Sequence, residues 1–511
     1  MSNLNFNAAK VAPAKPAADA PLPARTRMWS AYQAAIYSFV ETGTGNAIVK
    51  AVAGSGKSTT AVECMTRVPT DKTAIFLAFN KAIADELKAR GVNARTFHSL
   101  TYSPVTRLKN TRNIESNKLR LIIDQKLSGD DAVMYGAFIA RLVGLGRQAG
   151  IGCLVADTDQ AWLELVQYHD LELDNETAEL GRALDLASQL LNWSNADARV
   201  DFDDLLYLAV KEGLSLPKFD FVFVDEAQDT NAIQRAILRK IMHAGTRLIA
   251  VGDPAQAIYG FRGADSNSLN LIAEEFSCIE LPLTVSYRCP TSVIEYAHRW
   301  VSHIEAAPDA PAGEVISMGQ KWDAAKDFKE NDLIVCRTTK PLITMCFKFL
   351  RARIPAYIMG REIGQGLKSL ITKLNAKGIG ALIIKLSVWC DRECEKAIAK
   401  KQDSKVESIQ DKAEAILFLI DGLAEKERTV PALLGIIDSL FTDTTNAVTL
   451  ATIHKGKGLE ADRVFWLNSS QCPAKWAKNE WQQEQERNLC YVATTRAKQT
   501  LVLIEEQTAS K

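Results

Sequence analysis

The 511-residue chain has no surplus of either charge: 61 basic residues stand against 61 acidic ones. A protein that binds nucleic acid through a global positive field shows a basic excess, so any such binding here must use a local groove. Long apolar runs are missing too; none reaches the roughly 18 residues that a membrane helix needs. The N-terminal stretch NAAKVAPAKPAADAPLPAR is rich in Ala and Pro and has no apolar core of signal-peptide type. Residues 1–26 therefore read as a disordered tail. Ten cysteines are present without a paired-ligand pattern. Cys390 and Cys394 come nearest, but they lack the two-residue gap of a zinc knuckle and a second Cys/His pair. Free thiols in a reducing compartment are the expected state. No internal repeat is visible.

What is present is ordinary for a globular protein: 47% hydrophobic and 24% charged residues. The length suits two to four domains. Seven short apolar runs read as buried parallel strands, each followed by a turn and a helical pattern: NAIVKAVAG (46–54), TAIFLAFN (73–80), FDFVFVDE (219–226), TRLIAVGD (246–253), DLIVCRT (332–338), AVTLATIH (447–454) and TLVLIEE (500–506). Such alternation predicts doubly wound α/β domains. The runs fall into two groups, giving one core over 27–100 plus 200–280 and a second over 281–360 plus 446–511. Between them lie a mainly helical insertion at 101–199, with VMYGAFIARLVGLG and ALDLASQLLNW, and a shorter accessory one at 361–445, with KAEAILFLIDGLAEK.

The segment AVAGSGKSTT (51–60) follows a strand and opens a helix. Gly54 and Gly56 let the backbone curl so that its N–H groups point inward, and the helix N-terminus adds partial positive charge. Lys57 is then placed to reach β and γ phosphates, and the Ser58 hydroxyl to hold Mg²⁺. Ala53, Gly54, Ser55, Gly56, Lys57, Ser58 and Thr59 are the candidate phosphate cradle. A strict GxxxxGKS/T pattern has glycine where this chain has Ala51. A phosphate loop needs acidic partners, and VFVDEAQDT (222–230) supplies them. Asp225 ends a fully apolar strand, where a carboxylate is costly unless it serves something. Its candidate role is Mg²⁺ coordination, and that of Glu226 is to polarise an attacking water. A helix N-cap is the competing reading for either carboxylate taken alone.

DEAQDTNAIQ (225–234), VGDPAQAIYGFRGAD (251–265), SYRCP (286–290), TIHKGKGLEADRVF (452–465) and YVATTRAK (491–498), in this order, resemble superfamily 1 helicases of the UvrD/Rep/PcrA type. AFNKAIADEL (78–87) and TFHSL (96–100) are similar to that family's early DNA-contacting motifs and to the F-box helicase branch. The resemblance covers most of the chain from about 29 to 505, apart from the two insertions. It implies two RecA-like cores, ATP and Mg²⁺ as cofactors, and movement along single-stranded DNA, 3′→5′, with unwinding at single-strand/duplex junctions. It also implies a cytoplasmic or nucleoid-associated protein of bacterial or phage origin, with single-strand-binding or replication and repair proteins as partners. Carried over by residue, it implies that Gln33 reads the adenine edge, Tyr287 stacks on adenine and Glu460 contacts the ribose region. Gln256 would sense the γ-phosphate, while Arg288 and Arg496 reach it from the second core. An arginine of this kind supplies about 10³–10⁵ in rate, so turnover requires the two cores to close. ATP-driven clamping of nucleic acid without unwinding is the alternative.

For the track, Phe79, Tyr259 and Phe261 are the candidate stacking aromatics. Base stacking is worth about 1–3 kcal/mol per base and tolerates any sequence. Phe261 stands where the related bacterial motors carry Trp. Asn80, Lys81, His98, Arg262, His454 and Lys455 are the candidate polar contacts. Simple packing competes for each aromatic, and a structural role for His98. The accessory insertion is shorter than its counterpart in the large bacterial relatives, and the end just after TLVLIEE suggests no appended nuclease domain.

Overall fold

The computed structural model describes residues 29–169, 171, 173, 177–260, 267–399, 403–423, 428–442 and 445–507. The expected N-terminal tail, Phe261 and Arg262 lie outside the described residues.

All seven apolar runs form parallel strands. In chain order the strands are β1 (Asn46–Ala51), β2 (Ala74–Leu77), β3 (Ala94–Arg95), β4 (Phe221–Val224), β5 (Arg247–Gly252), β6 (Cys278–Leu283), β7 (Val285–Ser286), β8 (Glu305–Ala306), β9 (Glu314–Gly319), β10 (Leu333–Cys336), β11 (Ala356–Ile358), β12 (Val448–Thr452), β13 (Ala461–Leu467) and β14 (Ala497–Ile504). One six-stranded sheet has the order β3-β2-β4-β5-β1-β6, a second has β11-β12-β10-β13-β14-β9, and β7 pairs with β8 alone. Central strands β4 and β10 are apolar throughout because helices cover both faces, and every residue of each is buried. The sequence reading missed the other strands, among them β6 at the edge of the first sheet, where three of six residues are exposed, and β13, which begins Ala461-Asp462-Arg463.

Ordinary end signals delimit the helices. Ser30 and Gln33 form a capping box on Ala31–Thr42, and Asn231 and Gln234 form another on Ala232–Ile241. The stretch between β3 and β4 is helical, including Gly129–Ala149 and Leu180–Ala196. Residues 361–445 contribute Arg361–Leu374, Ile379–Ala399, Asp403–Gly422 and Val430–Leu440. No described helix is long and apolar enough to cross a membrane.

The strand order decides where chemistry gathers. β1, β5 and β4 are neighbours, so the loops leaving their C-terminal ends converge on one crevice. Those loops carry AGSGK, Asp253 and the Asp225–Glu226 pair.

Candidate functional site

Between β1 and helix Lys57–Thr66 the chain curls through Gly54 (φ 72°) and Gly56 (φ 79°). No side chain caps this helix, so the first-turn N–H groups of Lys57, Ser58 and Thr59 remain for an anion. Gly54 is glycine for a second reason. A Cβ there would lie 2.5 Å from Arg288 Cβ and 2.7 Å from Ser286 Oγ. The segment Ser286–Arg288 thus sits directly on the loop, where Tyr287 donates its N–H to Gly54 O at 2.9 Å. The Tyr287 ring stays 48% exposed, open to a planar ligand.

Ser58 Oγ donates to Asp225 Oδ2 at 2.8 Å. Burial, then the adjacent Glu226, push the Asp225 carboxyl up to about 6. An alcohol beside a carboxylate suits a hard divalent cation, and Ser58 and Asp225 would hold it. When bound with nucleotide, such an ion supplies charge neutralisation at the phosphates. Among the described residues no group of three or more His, Cys, Asp or Glu is placed to bind a metal alone, so phosphate and water oxygens would complete the shell.

Glu226 takes a left-handed backbone, φ 52°, a strained state for a side chain with a Cβ, costing of order 1–3 kcal/mol. That turn aims its carboxylate at Lys57 Nζ, 3.4 Å away. Burial works against the charge on Glu226, but Lys57 and Lys457 outweigh it and hold the carboxyl below the usual range. A hydrogen bond donated by Gln228 Nε2 adds to this. Gln256 donates from Nε2 to buried Asp253 Oδ2 at 2.7 Å, and Gln228 Oε1 accepts the Asp253 N–H at 3.0 Å.

Four more of the expected nucleotide contacts are engaged within the protein. Gln33 is buried, its Oε1 accepting from Ser30 N–H at 3.1 Å and its Nε2 donating to Thr60 Oγ1 at 3.0 Å. Arg288 Nε donates to Glu460 Oε2 at 2.7 Å, and Glu460 also pairs with Lys498 at 2.6 Å. Arg496 is buried, donating to Val492 O at 2.9 Å and Leu459 O at 3.3 Å. Burial and the neighbouring Arg288 lower its pKa to about 10.

Phe79 and Tyr259 stack face to face, centroids 6.2 Å apart and planes 12° off parallel. Phe79 is 47% exposed, and Tyr259 Oη donates to His454 O at 3.2 Å. Asn80 caps helix Lys81–Ala89 by accepting from Ile83 N–H, with Lys81 exposed beside it. Lys455 donates its N–H to Thr452 Oγ1 at 3.4 Å. His98 is half-buried, edge-on to exposed Phe202, and burial lowers its pKa.

One residue went unnoticed in the sequence. Lys457 comes from the loop after β12 and reaches the first sheet, with Nζ 2.6 Å from Asp229 Oδ2 and 3.9 Å from Glu226 Oε2. It donates to Gln256 O at 2.8 Å and lies 4.9 Å from the Tyr259 ring centroid. Only its place within TIHKGKGLEADRVF pointed to it; its Asp229 partner is 228 residues away.

Comparison with known proteins bears on the whole arrangement. The model of the UvrD/REP helicase N-terminal domain matches residues 33–277, and that of the UvrD-like helicase C-terminal domain matches residues 388–508. F-box DNA helicase protein 1 of Schizosaccharomyces pombe is 27% identical over 497 residues, 89% of this chain and 55% of that protein. F-box DNA helicase 1 of Gallus gallus is 24% identical, covering 89% of this chain and 47% of that protein. ATP-dependent DNA helicase PcrA of Staphylococcus epidermidis is 23% identical, covering 60% of this chain and 59% of that protein. The chain spans about half the length of the curated relatives it matches. It belongs to the UvrD/Rep-type superfamily 1 helicases.

Proposed function

We propose that the chain is an ATP-dependent DNA helicase that moves 3′→5′ on single-stranded DNA and opens duplex at junctions. The two sheets belong to two RecA-like cores, and ATP binds between them. The single observation that carries the reading is Lys457. One buried ammonium joins the carboxylates facing Lys57 to the Phe79–Tyr259 stack, so a base entering the stack and a phosphate entering the loop both act on the same cation. Lys57 and the first-turn N–H groups bind phosphate. Glu226, held ionised, takes the proton of the attacking water. Arg288 and Arg496 neutralise developing charge from the second core when it closes, which requires Arg496 to leave its carbonyl partners.

That inward-turned Arg496 is the observation favouring the alternative, an ATP-dependent clamp without unwinding. Strand displacement on 3′-tailed, 5′-tailed and blunt duplexes separates the two. Displacement of the 3′-tailed duplex is expected; DNA-stimulated ATP hydrolysis with no displacement on any duplex overturns the helicase reading.

A further inference from the structure

One helix from the second sheet lies along the first-sheet side of the crevice. Glu480–Thr494 presents Trp481, Gln485, Asn488 and Tyr491 at steps of four, three and three, the repeat of a single α-helical face. Each meets a residue on the opposite side. The Trp481 ring stacks on Tyr168 with centroids 6.0 Å apart and planes 18° off parallel. Gln485 presses on the backbone of Gly260, where a Cβ would fall 1.9 Å from its amide nitrogen. Asn488 Nδ2 donates to Pro254 O at 3.3 Å and to Ala257 O at 3.0 Å, the carbonyls on either side of Gln256. Tyr491 Oη accepts the Ala53 N–H of the phosphate loop at 2.9 Å. From Trp481 to Tyr491 is about 15 Å of helix at 1.5 Å per residue, and Arg496 follows just beyond its end.

A helix moves as a rigid rod, whereas a turn such as Pro254–Gln256 is positioned by what holds it. Here the segment 254–260 is held at two points by the same rod, at Asn488 and at Gln485. A small displacement of the rod cannot be absorbed at the turn; it must carry Gln256 and Tyr259 along.

Resting on the helicase reading, we propose that this helix transmits nucleotide state to the track, and that Asn488 is its positioning residue, tying the turn that carries Gln256 to the rod that ends at Arg496. Asn488 itself touches neither nucleotide nor DNA. Its loss should uncouple the two sites without weakening either one.

The test measures ATP turnover with and without a single-stranded thymidine oligomer, together with the ATP KM and the oligomer Kd. For Asn488→Ala the ratio of stimulated to basal kcat is expected to fall about tenfold, within the usual range of coupling between sites, while basal kcat, KM and Kd stay within about twofold. Asn488→Gln, which keeps the amide, should recover part of the ratio; Asn488→Asp, which turns an acceptor toward two carbonyls, should not. Gln485→Ala is a second probe, expected to lose about threefold in the ratio, and it decides the matter if Asn488→Ala does not fold. Stimulation equal to wild type in the folded variants, or basal and stimulated rates falling in parallel, overturns the proposal. Wild-type turnover indifferent to the oligomer overturns the helicase reading instead.

Discussion

Two buried charge clusters sit in this molecule, and on electrostatics alone they look alike. In the crevice, Lys57, Asp225, Glu226, Asp229 and Lys457 crowd together; burial pushes Asp225 and Asp229 up to about 6, while Glu226 is held low. In the helical stretch between β3 and β4, Lys118 pairs with Asp204 at 2.6 Å, both side chains fully buried, and Arg147 pairs with Asp201 at 2.8 Å and Asp204 at 3.2 Å. There too one carboxyl, Asp203, is pushed up to about 6, by burial and by Asp201. The surroundings differ. The crevice cluster lies at strand C-termini, opens onto an uncapped helix and draws Lys457 from the other sheet. In the second cluster Lys118, Arg147, Asp201 and Asp204 are paired with one another among neighbouring helices. Perturbed ionisation thus marks buried charge in general; free N–H groups and a partner from across a crevice mark the reactive one.

Substitutions sharpen that contrast. The largest effect is expected for Lys57→Ala, with kcat for ATP reduced about 10³-fold or more and oligonucleotide affinity measured by anisotropy largely kept. Retained turnover would remove the crevice cluster from catalysis. Next, Asp204→Ala leaves Lys118 and Arg147 without their buried counter-charge and should cost about 3–5 kcal/mol in denaturant unfolding. ATP turnover per folded molecule should hardly change, and a selective loss of turnover would erase the distinction between the clusters.

Lys457→Met comes third. It strands Asp229 and frees Glu226 from one of its two cations, so the ratio of DNA-stimulated to basal turnover should drop about tenfold; an undiminished ratio would leave the link between fuel and track without its carrier. The smallest effect concerns pH. The Asp203 carboxyl is pushed up on folding, so the folded state holds a proton that the unfolded chain releases. Stability is therefore greater in acid and declines as pH rises from about 4 to about 6. Asp203→Asn should remove that decline and be stabilising by about 1 kcal/mol at pH 7, after allowance for solvent screening of a partly exposed carboxyl, with no gain at pH 4. An unchanged pH profile would contradict the assignment.

How far the sequence could be read follows from the same contrast. The seven apolar runs were legible because a strand covered on both faces has to be continuously apolar. Edge strand β6 was not, since half of its residues meet solvent. The strand–turn–helix context of AVAGSGKSTT supplied the phosphate loop, and the apolar strand before Asp225–Glu226 supplied the two carboxylates. Neither context shows the contacts of Lys457 or Tyr491, whose partners lie 228 and 438 residues away and are brought together only by packing the two sheets. Lys118 and Arg147 belong to no motif; only the fold shows both buried against carboxylates.

The central claim is that the fuel site is completed by residues from outside the first sheet. Arg288 tests it most directly, because it sits against Gly54 and belongs to the segment that covers the loop. The measurement is steady-state ATP turnover of Arg288→Ala with saturating single-stranded DNA, alongside binding of a non-hydrolysable ATP analogue. The account predicts a fall in kcat of about 10³-fold or more with analogue binding preserved. Turnover within about tenfold of wild type would contradict it.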